Sequence, residues 1–372
     1  MIKGVVSTGL RMPVFKQGDD IAEIITNVIV SNVNINELSL HDKDVICITE
    51  SIVARTTGNY VSVNNIASDV RDIFNEIDSN GLDIWLWNPI YSRNRFSLIL
   101  KGLARAAKKL HIVLNDRDEV GNAVYNTFTG IDIKDFYMEI ATSEQCEIEF
   151  CTIDEFVSNA TSVIVCSCHP ETDEGLKKFR DNPYMHIAYL SDICAKENTT
   201  FGYNGYNEEY GVLGSNKATE ETLKLFPRKN VCEKIIRTIQ DNIKEKLGVH
   251  VEVMIYGDGC FKDPVGGIWE FADPVVAPAY TEGLEGTPNE LKLKYLVDNE
   301  LADVDEKIEL STKVKDAISK KDKNLIGKMT SEGTTPRRYV DLLGSLADLT
   351  SGSGDKGTPV VLIQNYFNNY AS

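Results

Sequence analysis

Residues 232–256, CEKIIRTIQDNIKEKLGVHVEVMIY, change period within a single run. Residues 218–248 predict a long amphipathic helix, with apolar side chains at helical spacing up to Leu247 and Gly248 as its stop. The apolar residues that follow alternate as they do in a strand. A long amphipathic helix delivered straight into a strand commits this part of the chain to a mixed α and β architecture. The strand then runs into Gly257, Asp258 and Gly259, a turn that presents one carboxylate between two glycines.

The rest of the chain has the same mixed character. Residues 19–37, DDIAEIITNVIVSNVNINE, place apolar residues at helical spacing behind an acidic start, which suits a helix N-terminus. DKDVICITESIVARTTG predicts a strand followed by a polar turn ending at Gly58, and residues 65–79 predict a helix. RFSLILKGLARAAKKLHIVLND predicts a strand, a basic amphipathic segment and a second strand. Between about 123 and 200, short strands (CEIEFCTI, TSVIVCSC, HIAYLSDI) alternate with polar helices such as ETDEGLKKFRDN. Residues 284–330 are charged and helical, and SGSGDKGTPVVLIQNYF is a glycine-rich loop feeding a terminal strand.

Charge narrows the partners. A formal charge of −17 sets a field that repels phosphate backbones and anionic membranes, so nucleic acid and membrane are not expected partners. An anionic ligand then needs a local cluster of cations or backbone N–H groups. MIKGVVSTGLRMP has no apolar core of signal-peptide length, and no run approaches the roughly 20 apolar residues of a membrane helix, so a cytoplasmic protein is expected. The eight cysteines are scattered, mostly in apolar strand-like runs, and read as reduced, buried thiols.

Three polar glycine turns meet strands: TESIVARTTG, YGDGCFKDP with the following VGGIWEFADP, and SGSGDKGTP. Glycine lets backbone N–H groups converge on an anion, and a neighbouring Asp can hold the cation that accompanies it, so together the turns suggest nucleotide phosphates. Gly352, Gly354 and Gly357 spell G-x-G-x-x-G, but they precede a strand and leave no helix or ribose-binding acid, which excludes a dinucleotide fold. No G-x-x-x-x-G-K-[ST] occurs either. CSCH at 166–169 lacks the second ligand pair of a zinc finger and reads as a buried strand end. NDRDEVGN, with Asp116, Asp118 and Glu119, reads as a solvated loop before a cation site. WLWNPIYSRNRF offers Arg93 and Arg95 beside aromatics, although core packing accounts equally for the tryptophans.

GLRMPVFKQGDDIAEII (9–25), DKDVICITESIVARTTG (42–58), GYNGYNEEYGVLG (202–214), MIYGDGCFKDP (254–264) and SGSGDKGTPVVLI (351–363) occur in the order found in the coenzyme F420-0:L-glutamate ligases, which the chain resembles. The resemblance implies an F420 ligase-like α+β fold with largely antiparallel sheets and flanking helices. Its core would come from residues 1–110 and 201–372, with residues 111–200 as an inserted α/β subdomain. It implies a homodimer, and a ligase that spends GTP (or ATP) with Mg²⁺ or Mn²⁺ to join L-glutamate to a carboxylate of a cofactor precursor.

By matching positions, the resemblance implies that Met12, Pro13, Val14, Phe15, Glu50, Ser51, Arg55 and Asn207 line the nucleotide. Ser351, Gly352, Ser353, Gly354, Asp355, Lys356, Gly357 and Thr358 would wrap its phosphates. Asp258 would hold metal, with Asn204 at the second metal position, and Arg55 and Asp258 would be the catalytic pair. Lys262, Arg337 and Arg338 are further candidate cations. Three positions depart from the family: Arg55 stands for its lysine, Asn204 for a metal-binding Asp and Ser353 for a Glu. Lost carboxylates leave folate as an alternative acceptor, and a nucleotide-binding protein without turnover, or a metal-dependent phosphohydrolase, as alternative functions.

Overall fold

The computed structural model describes residues 4–74, 81–119, 121–167, 170, 173–194, 211–212, 214–257, 261–262, 269–270, 277–289, 291–304, 306–321, 337–351 and 354–371. β1 (Val6–Leu10), β2 (Val45–Thr49), β11 (Glu252–Tyr256), β14 (Ala279–Tyr280) and β15 (Val360–Gln364) form one sheet in the order β1-β15-β2-β11-β14. Val45 to Ile48 of β2 are fully buried, as an uninterrupted apolar run requires when a strand is covered on both faces. β2 pairs in parallel with β11, Thr49 opposite Tyr256, and antiparallel with β15, Ile48 opposite Val360.

The period-2 alternation of side chains divides this sheet into two cores. Ile46, Ile48, Val253, Ile255, Val360 and Leu362 pack with Ile25 and Ile29 of α1 (Ile21–Asn34) and with Ile236 and Ile239 of α7 (Lys229–Leu247). Cys47, Met254, Tyr256, Val361 and Ile363 pack on the other face with Val340, Leu343 and Ala347 of α10 (Tyr339–Ser351). Each such apolar side chain contributes about 1.5–3 kcal/mol on burial, so the three layers hold one another. α1 begins where the Asp20 carboxylate accepts from the Glu23 N–H at 3.0 Å. α7 ends at Gly248, whose φ of 73° closes a helix without a Cβ penalty.

A second sheet is parallel throughout. β4 (Asp83–Trp87), β5 (Lys109–Val113), β6 (Glu147–Cys151), β7 (Ser162–Val165) and β8 (His186–Tyr189) take the order β6-β5-β4-β7-β8. α3 (Val63–Ile73), α4 (Arg95–Ala106) and α5 (Ile133–Ser143) bury one face. α6 (Ile153–Asn159) contributes Phe156 to the other, against Trp85 and Trp87. Strand β4 precedes residue 111, so this sheet draws on chain outside the 111–200 segment. β3 (Tyr60–Ser62), β9 (Gly214–Thr219) and β10 (Thr222–Leu225) form an antiparallel sheet whose Val61, Leu223 and Leu225 join the α3–α4 core. β12 (Phe261–Lys262) pairs with β13 (Trp269–Glu270), and α8 (Leu293–Tyr295) and α9 (Lys307–Lys320) follow. The class is the mixed α+β one expected.

Local expectations change in three places. The stretch expected to turn after β2 is helix α2 (Glu50–Thr57). Val53 and Ala54 bury their side chains, the Thr56 and Thr57 hydroxyls donate to the Val53 carbonyl, and Gly58 closes the helix at φ 68°. RFSLILK, expected as a strand, is the first half of α4, whose Phe96, Leu98, Ile99, Leu100 and Leu103 are buried. ETDEGLKKFRDN shows, among its described residues, only a 3₁₀ turn at Leu176–Lys178.

Cys47, Cys146, Cys166, Cys194 and Cys232 are buried free thiols, whereas Cys151 is half-buried and Cys168 and Cys260 lie outside the described residues. Burial pushes the Cys146 thiol up to about 11. No helix among the described residues is long and apolar enough to cross a membrane.

α3 and α4 meet where Gly102 leaves room, since a Cβ there would lie 2.5 Å from Ile66 Cγ2. Gly102→Ala adds about 1–3 kcal/mol of overpacking against a helix-propensity gain of about 1 kcal/mol. The urea midpoint should fall; a midpoint that stays or rises would show that the helices do not touch at this point.

Candidate functional site

The site lies where β2 ends and β15 begins. The Thr49 N–H donates to the Pro359 carbonyl at 3.1 Å, and the Met12 N–H donates to the Gly357 carbonyl at 3.0 Å. These bonds draw together three stretches from opposite ends of the sequence. The loop after β1 is also tied to α2, because the Gly18 N–H donates to the Thr56 carbonyl at 2.8 Å.

Together they enclose a cavity of about 430 Å³. Met12, Pro13, Val14 and Phe15 form one wall; Phe15 is buried in the α1–α7 core while Val14 is 82% exposed at the rim. Ser51 and Arg55 of α2 form a second wall, and Ser351, Gly354, Gly357 and Thr358 a third. The third wall is pinned internally: the Thr358 hydroxyl donates to the Ser351 carbonyl at 2.8 Å. Gly357 has a φ of 67°, so a side chain at that position would strain the turn.

Other expected residues fall elsewhere. Glu50 is fully buried beneath the cavity's second wall and accepts from the Thr49 hydroxyl at 3.2 Å. Asp355 and Lys356 are exposed on a 3₁₀ turn (Gly354–Lys356). Asn204, Asn207, Asp258, Gly352 and Ser353 lie outside the described residues, as does the Lys262 side chain. Arg338 pairs with Asp341 at 2.7 Å, and Arg93 lies 5.7 Å from the centre of the Phe136 ring.

The acidic loop after β5 is structural. Asp118, expected in water, is buried and accepts from the Tyr91 N–H at 3.1 Å and from the Asn122 N–H at 2.8 Å. The carboxylate satisfies one backbone donor of its own loop and one of the segment that follows β4.

Five groups at the cavity escaped sequence reasoning. Thr49, Ile52, Asp348 and Pro359 line it, and the Lys224 ammonium of β10 donates to the Ser51 hydroxyl. Tyr256, opposite Thr49 in the sheet, is buried; desolvation raises its hydroxyl above the usual tyrosine range, and Glu50 and Asp348 add to the shift. Thr49 reads as one more strand residue, Asp348 as a solvated helix residue and Lys224 as an edge charge. Only their assembly marks them.

In chemical terms the cavity joins an exposed guanidinium, a nearby ammonium, a helix N-terminus and hydroxyl and carboxylate oxygens. Cations and N–H groups of that kind accept an anion, and hard oxygens accept a divalent cation beside it. Thr358→Ala removes the bond that closes the third wall. It should cost about 1 kcal/mol of stability and speed amide exchange over 354–358 more than in β2. Unchanged exchange there would show that the hydroxyl does not hold the turn.

A family model described as F420-0:Gamma-glutamyl ligase matches residues 9–365. No curated protein matches the chain significantly.

Proposed function

The chain belongs to the F420-0:gamma-glutamyl ligase family, a family of amide-bond-forming ligases, and from that premise we propose that its 430 Å³ cavity binds the GTP whose γ-phosphate activates the acceptor carboxylate. The observation that carries the reading is the placement of Arg55. In a chain of net charge −17, this guanidinium stands in a cavity with Gly354 and Gly357 opposite. Local positive charge in an acidic protein is what a triphosphate requires.

A carboxylate and an amine do not condense in water without activation. The acceptor's carboxylate oxygen attacks the γ-phosphorus, and GDP leaves with the electron pair of the broken phosphoanhydride bond. The glutamate amine then attacks the acyl carbon, phosphate departs, and the amine proton passes to solvent. Arg55 offsets the charge that builds on the γ-phosphoryl oxygens, and Lys224, held on Ser51, adds a second cation at the same wall. Backbone at Gly354 and Gly357 approaches the phosphates because no side chain intervenes. Met12 to Phe15 form the apolar wall against which the nucleoside packs.

Mg²⁺ or Mn²⁺ fits this cavity, because Asp348 and the hydroxyls of Thr49 and Ser351 are hard oxygen donors. Asp348 would hold the ion together with Asp258, which follows two residues after the end of β11 at Tyr256, the residue in register with Thr49. The ion supplies charge neutralisation at the phosphates. F420-0 is the proposed acceptor, L-glutamate the donor and the cytoplasm the compartment.

Purified protein incubated with GTP, Mn²⁺, L-glutamate and F420-0 should release GDP and add one glutamyl mass unit to the acceptor. Arg55→Ala should lower kcat/KM by about 10²-fold or more, with Arg55→Lys recovering part of it. Replacement of F420-0 by a folate in the same assay reads the acceptor. Calorimetric GTP binding without a mass gain on any acceptor would reduce the protein to a nucleotide binder and overturn the ligase reading.

A further inference from the structure

β5 and β6 run parallel at one margin of the second sheet, with His111 and Glu149 in register. Cys151 is two residues beyond Glu149 and therefore on the same face. Their ligand atoms converge. His111 Nδ1 lies 3.3 Å from Glu149 Oε2 and 3.8 Å from Cys151 Sγ, and one atom from each of the three residues falls within 4.8 Å of the others. Metal bonds of about 2.0–2.3 Å at tetrahedral angles separate N, O and S ligands by about 3.3–3.6 Å. The His111–Glu149 pair already has this spacing, and Cys151 lies slightly outside it at 3.8 Å from Nδ1.

The histidine is held for that task. Its ring stacks on Trp85 at 4.1 Å with an interplanar angle of 8°. Asp83 Oδ2 stands 3.7 Å from Nε2, beyond the nitrogen that does not face the cluster. A carboxylate behind the imidazole favours the tautomer whose Nδ1 lone pair points to a metal. Lys109 Nζ contacts Glu149 Oε2, the oxygen that faces Nδ1, at 2.6 Å; both side chains are partly exposed, so the ammonium can turn to solvent when an ion takes that oxygen.

We propose that His111, Glu149 and Cys151 form a binding site for one borderline-soft divalent transition ion of the zinc class, with water in the remaining coordination position. The imidazole, thiolate and carboxylate set separates this ion from Mg²⁺ and Mn²⁺, which prefer oxygen alone. Coordination releases the Cys151 proton to solvent. The ion bridges β6, the edge strand, to β5, so its binding free energy stabilises the folded sheet by mass action. Nothing in this site depends on the nucleotide cavity, which shares none of its residues.

The test uses the full chain, stripped with a chelator and kept in excess Mg²⁺ so that oxygen-only sites are filled. Titration with Co²⁺ should give a thiolate-to-cobalt charge-transfer band that saturates at one equivalent and is displaced by Zn²⁺. Cys151→Ser should abolish the band, and His111→Ala and Glu149→Gln should each weaken cobalt binding by about tenfold or more, with far-ultraviolet circular dichroism confirming that each variant is folded. Absence of the band in the wild-type protein would overturn the proposal. So would a band that survives Cys151→Ser, because it would assign the ion to another thiol.

Discussion

The pairing of β2 with β11 on one side and β15 on the other is the constraint on which the rest depends. It brings residues 45–49, 252–256 and 360–364 to one place, with β2 and β11 ending where β15 begins. Val45, Ile46, Cys47 and Ile48 have no exposed face, so the strand is stable only between the α1–α7 layer and α10. A one-residue slip of β2 would exchange its two faces and misplace both layers. The same ladder carries the bond from Thr49 to Pro359 that closes the cavity. Core and site are therefore one construction.

Electrostatics acts on two scales in this protein. The chain as a whole repels anions, yet the cavity is lined by Arg55 and by the start of α2, with Lys224 bonded to its Ser51 wall. The walls supply geometry as well, since Phe15 anchors one in the core while the Thr358 to Ser351 bond fixes another. A family that makes amide bonds needs both features, because activation of a carboxylate concentrates negative charge at one point.

Several elements were legible because a short-range signal fixed them. Asp20 before a helical run and Gly248 after one mark α1 and α7, and an apolar run between polar segments marks β2. α2 was not legible. Its Ile52, Val53, Thr56 and Thr57 are β-branched, and its serine and following glycine suggest a turn; helix wins because Val53 and Ala54 are buried and the threonine hydroxyls return to the backbone. FSLIL fits a buried strand or a buried helix equally by pattern, and only packing against α3 decides between them.

The sequence by itself determined the α+β class, the family and most of the cavity's walls: Met12 to Phe15, Ser51, Arg55, Ser351, Gly354, Gly357 and Thr358 were all legible because short motifs carry them. Only the tertiary structure brought Asp348, Thr49 and Lys224 to those motifs, and only it set His111 beside Glu149 and Cys151 across two parallel strands. The reason is one of range. A motif records what neighbouring residues do to the local backbone, whereas a pocket or an ion site is made by side chains whose approach is set by sheet register, and register is fixed by the burial of residues that belong to neither.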